Sequence, residues 1–155
     1  MTVAGVSDDR DRTSANVITE NNSNPTTEVR LTKAEDAALE RLRQMRTTEH
    51  SDRSKMLQKF SETERKYATD YRFPYERARV LATERKKKSH EAALAALARA
   101  AQVAIHFGKA SEMLQNMNKD SAGDFQNISH GYREWTQLQK ALKTNDASVV
   151  TEEAL

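Results

Sequence analysis

Apolar residues recur along this chain at helical spacing, in stripes separated by charged positions. The first stripe starts after Leu31 and runs through Leu39, Leu42, Met56, Phe60 and Tyr67 in a seven-residue frame. Arg46, Glu49 and Arg53 occupy frame positions in between, so the stripe is broken in its middle. Thr47-Thr48-Glu49-His50-Ser51-Asp52 is a weak helix former and marks a kink or a short loop. Thr32-Lys33-Ala34-Glu35 reads as a capping box, so order is expected to begin there. Arg72-Phe73-Pro74-Tyr75 is the clearest break, because proline lacks an N–H donor and disfavours helix at the residue before it.

A second stripe covers most of a helix circumference. It holds Leu94, Leu97, Val103, Ile105 and Phe107 among many alanines, then continues through Leu114 and Met117. Small residues let helices approach closely, so this stretch is expected to be the most buried. Ser121-Ala122-Gly123-Asp124 resembles another capping box. After it, Phe125, Ile128, Tyr132, Trp135, Leu138 and Leu142 form the cleanest i, i+3, i+7 series in the chain.

The pattern predicts an all-α fold of long amphipathic helices over about 32–72, 75–117 and 121–144. They are expected to form a helical hairpin, a three-helix bundle or a coiled coil. Leu94, Leu97, Val103, Phe107, Leu114, Ile128, Tyr132, Trp135 and Leu142 are expected in its core. A helix of about forty residues would be about 60 Å long. Such a helix seldom finds enough partner surface inside a chain of 155 residues. Leu39, Leu42, Met56, Phe60 and Tyr67 are therefore the expected face for another protein. Residues 1–30 hold neither Leu nor an aromatic and are rich in Ser, Thr, Asn and Asp. They predict a disordered N-terminal tail. Residues 145–155 predict a short acidic C-terminal tail.

Composition agrees with narrow apolar stripes: 37% of residues are hydrophobic and 31% charged. Four Gly and two Pro encode few turns, which argues against a β-sandwich or an α/β fold. Without Cys there is no disulfide, thiol nucleophile or thiolate metal site, and a reducing, cytoplasmic compartment is expected. No apolar run reaches the length of a membrane span, and Met1 to Arg12 lack the features of a secretory signal.

Candidate chemistry is sparse. His50, His90, His106 and His130 are scattered, and His90-Glu91 is not followed by a second His four residues on. Asn116, Asn118, Asp120 and Asp124 suggest a calcium loop, but its sixth and twelfth positions would be Ser121 and Asn127 instead of Gly and Glu. Glu40 with Arg43, and Glu62 with Lys66, read as ordinary pairs along a helix. No phosphate loop, nucleophile elbow or nucleophile–base pair is present. The reading is therefore no enzyme, no cofactor and no metal.

Charge is concentrated locally, although the net charge is only +2. Between Arg65 and Lys88 lie nine basic and three acidic residues. Arg77, Arg79, Arg85, Lys86, Lys87 and Lys88 form the candidate basic patch, and Ser89 beside it suits a basophilic kinase. Residues 102–117 resemble a helix-turn-helix core. Ala104 is small, Gly108 takes the turn position, and Gln115 and Asn116 would face bases. In composition and helix length the chain resembles small coiled-coil subunits of multiprotein assemblies. The expected function is a non-enzymatic adaptor or structural subunit that binds other helical proteins, as a homo- or hetero-oligomer. The alternative is a nucleic-acid-binding protein using residues 77–88 and 102–117; an anionic surface is a further candidate partner.

Overall fold

The computed structural model describes residues 31–48 and 53–148. The expected tail over 1–30, His50 and most of the acidic C-terminal tail lie outside the described residues. Those residues contain seven helices and no strand. They are α1 (Lys33–Thr48), α2 (Arg53–Lys66), α3 (Arg72–Ala82), α4 (Lys87–His106), α5 (Ala110–Asp120), α6 (Gln126–Ser129) and α7 (Arg133–Thr144). Among them, none is long and apolar enough to cross a membrane.

The three long helices expected from the stripes are thus divided, and local causes are seen at several of the helix ends. The Thr32–Glu35 capping box opens α1: the Glu35 N–H donates to Thr32 Oγ1 at 3.1 Å, and the Thr32 N–H donates to Glu35 Oε1 at 2.9 Å. At the next junction the break precedes Pro74. Asp70 turns its carboxylate onto the Arg72 N–H at 3.0 Å, and α3 starts there. Pro74 then falls in the first turn, where a missing N–H costs no intrahelical bond. The α3–α4 turn falls on Thr83–Lys86 and takes in the first half of the densest run of positive charge, whose second half opens α4.

Alanine and leucine carry α4 for twenty residues until Gly108 ends it. Gly108 has φ 77°, a left-handed conformation that only glycine takes freely. The Lys109 N–H donates back to the Ala104 carbonyl at 2.7 Å and that of Gly108 to Ile105 at 3.5 Å, the bond pair of a Schellman cap. The Ser121 capping box does not form. Ser121 closes α5 instead, donating its hydroxyl to the Asn118 carbonyl at 2.9 Å. Asn145 caps α7 at φ 58°.

Two apolar cores result, and α3 joins them. Its Tyr71, Tyr75, Ala78 and Ala82 face the larger core, with α4, α5 and α7. Phe73 and Val80 face the smaller core, with Leu39, Leu42, Met56 and Phe60. Of the expected core residues, Leu94, Leu97, Val103, Ile128, Trp135 and Leu142 are buried. Phe107, Leu114 and Tyr132 pack partly buried against them. The face expected to await a partner is corrected by the smaller core. Leu39, Leu42, Met56 and Phe60 are buried within the chain, and Tyr67 stacks on Phe73 with ring centroids 5.3 Å apart. Breaking the long helix lets α2 fold back toward α3, so the stripe finds its cover internally.

Candidate functional site

The most buried charge is Glu76, on the part of α3 between the two apolar faces. Its side chain is 0% exposed. Arg43 Nε donates to its Oε2 at 3.0 Å and Arg79 Nη1 at 3.1 Å, while Arg46 Nε stands 3.5 Å from Oε1. Arg46 and Arg79 both also donate to Asp124 Oδ2, at 3.1 and 2.7 Å. Burial works against the charge of Arg79, but Glu76, Asp124 and Asp120 outweigh it and raise its pKa. This network ties α1 to α3 and to the turn after α5.

A second set of polar groups ties α3 to α5. Tyr71 Oη donates to Glu112 at 2.7 Å and accepts from Asn116 Nδ2 at 2.9 Å. Tyr75 Oη donates to Asp120 at 2.6 Å. Burial first, then the adjacent carboxylate, pushes both phenols far above their usual pKa, so they stay neutral donors. Arg72 forks onto Asp70 and reaches Asp36 of α1 at 3.0 Å. These carboxylates tie α1, α3 and α5 to one another.

The suspected calcium ligands are engaged in the same way. Asn116 serves Tyr71, Asp120 serves Tyr75, Asp124 serves the arginines, and Asn118 accepts from Gln139 at 2.9 Å. Among the described residues, no group of three or more His, Asp or Glu is placed to hold a metal. In the helix-turn-helix-like segment, the turn at Gly108 is real. Yet Asn116 is occupied and Glu112 lies exposed on the same helix, leaving Gln115 as the open polar side chain of the two expected to face bases.

The candidate basic patch is split by folding. Arg77 forks onto Glu64 of α2 at 2.9 and 3.2 Å, and Arg79 belongs to the Glu76 network. Arg85, Lys86, Lys87 and Lys88 are all exposed at the α3–α4 turn, and among the described residues no carboxylate pairs with them. Around them the turn is pinned. Arg53 bonds to the Val80 carbonyl and pairs with Glu84, and Glu84 also accepts from Ser89 Oγ. The Ser89 hydroxyl expected as a kinase target is thus engaged. His90 sets its ring edge-on to Tyr132, centroids 6.0 Å apart, which brings the start of α7 to the same end.

A cleft of about 320 Å³ lies between α1 and α2. Arg41, Lys59 and Lys66 stand at its rim. The expected Glu40–Arg43 and Glu62–Lys66 pairs are absent among the described residues. Arg43 goes to Glu76, and the Lys66 ammonium lies 5.5 Å from the Tyr67 ring centroid. Neither the Glu76 network nor the cleft was visible in the stripes, since both depend on which helices meet. The chain matches no family model, no curated protein and no solved structure.

Proposed function

We propose that this chain is a non-enzymatic helical interaction protein, an adaptor or structural subunit, that docks an acidic protein partner on its α3–α4 turn. One observation carries the reading. Arg43, Arg46, Arg53, Arg72, Arg77 and Arg79 are all paired with carboxylates, whereas Arg85, Lys86, Lys87 and Lys88 are exposed and unpaired among the described residues. A fold that neutralises so many of its cations leaves four together on a pinned turn. Such a cluster attracts acidic surfaces and speeds encounter with them. The other helices act as one bundle that holds this turn, and a cytoplasmic setting among helical partners accompanies the reading.

Nucleic acid is the second reading. The same cations and the Gly108 turn favour it; Glu112 and the occupied Asn116 weigh against it. A pull-down from native lysate, with and without nuclease, compares the wild type with a variant carrying Arg85→Ser, Lys86→Ser, Lys87→Ser and Lys88→Ser. The expected result is a stoichiometric protein set that survives nuclease and is lost with the four cations. Recovered nucleic acid, with steep salt dependence, would replace the adaptor reading by the second one. An unchanged protein set in the variant would refute the role of the turn.

A further inference from the structure

The cleft between α1 and α2 lies away from the basic turn and has a different chemical make-up. On α1 its lining comes from Ala38, Arg41 and Leu42, spaced i, i+3, i+4. On α2 it comes from Lys59, Glu62, Thr63 and Lys66, again on one helical face, with Tyr67 just past the helix end. Ala38 and Thr63 are short, and Arg41, Lys59 and Lys66 are exposed, so the helices leave a space instead of closing on each other. Its volume of about 320 Å³ is at the lower end of small-molecule sites.

The floor is apolar and fixed. Leu42 is 2% exposed, and Tyr67 is held by its stack on Phe73. The rim carries three cations and one carboxylate. Among the described residues no carboxylate pairs with Arg41 or Lys59, and Glu62 meets only Gln58, at 3.4 Å. Among the described residues the lining therefore carries a net positive charge.

We propose that this cleft binds a small organic anion with an apolar body, in the manner of a carboxylate on a short alkyl chain. The anion sits between Arg41 and Lys59, where a guanidinium offers paired donors to two oxygens. The apolar body covers Ala38, Leu42 and the Tyr67 ring. An inorganic anion would leave the floor bare, and an apolar cation would meet the rim repulsively. This site does not depend on the α3–α4 turn, and the two are separable by mutation.

Titration calorimetry with octanoate, octylamine and inorganic phosphate tests the proposal on the full chain. Octanoate is expected to bind one to one, phosphate about tenfold more weakly or less, and octylamine not at all. The double variant Arg41→Ala/Lys59→Ala changes only exposed side chains; it should lose about tenfold or more in octanoate affinity with an unchanged circular dichroism spectrum. Ala38→Trp fills the cleft and should abolish binding. No heat with octanoate at millimolar concentration, equal binding of octylamine, or undiminished binding in the double variant overturns it. Binding to anionic vesicles without binding of octanoate also overturns it.

Discussion

The Glu76 side chain is wholly buried, and three guanidiniums surround it. Removing one side of a buried ionic group costs more than the group contributes as a pair, since the remaining charges lose their partner. Glu76→Ala is expected to lower the unfolding free energy by about 3–5 kcal/mol in urea titrations. Arg43→Ala, whose side chain is 41% exposed, should cost under about 1 kcal/mol in the same assay. Equal losses would show that Arg43, not Glu76, organises the cluster. Nothing in Tyr75-Glu76-Arg77 marks this glutamate as special. Its position is legible only once Phe73 and Val80 are known to face one core and Tyr75 and Ala78 the other, which leaves α3 no open side at 76. The stripe of α7 was legible because it has a single apolar face, and that of α4 because it is apolar over most of its circumference; α3 has two separate faces, so its period is blurred.

Helix ends record the competition between local signals and their surroundings. Thr32 and Glu35 were readable because the cap is closed by two side chains within four residues. Ser121 carried a similar signature, yet Gly123 follows and the next helix waits until Gln126. Asp70 held no obvious signal, although its carboxylate decides where α3 begins. The pattern could not separate a turn at Gly108 from a glycine inside one long helix; the left-handed φ of 77° settles that in favour of the turn. Gly108→Ala forces a Cβ into this conformation, and is expected to cost about 1–2 kcal/mol in thermal unfolding monitored by circular dichroism. A neutral or stabilising result would mean that the cap re-forms without a left-handed residue.

At the scale of the whole molecule, the two cores differ in size and share only α3. The smaller one depends on Phe60, 0% exposed, and its deletion leaves a cavity that few neighbours can close. Phe60→Ala is expected to cost about 3–5 kcal/mol. Amide hydrogen exchange should show the loss chiefly in α1 and α2, while Trp135 in the larger core keeps its native fluorescence. Collapse of the Trp135 signal together with α1 and α2 would mean that the cores melt as one unit. That the stripe of α1 and α2 is apolar was plain from the sequence. That it meets α3 instead of another protein followed from the chain folding back, which no local spacing encodes.

The α3–α4 turn also has a meaning for how the chain can be cut. Proteases that cleave after lysine or arginine prefer open loops, and here Arg85 and Lys86 stand exposed between two helices, with Lys87 and Lys88 exposed in the first turn of α4. A nick there severs the covalent path at one point only. Across it α3 remains packed on α4, and Arg46 and Arg79 on one fragment still grip Asp124 on the other. The cleaved protein is then a complementing pair of pieces, each carrying part of the larger core, and the turn is a natural place to split the chain or to join its ends anew.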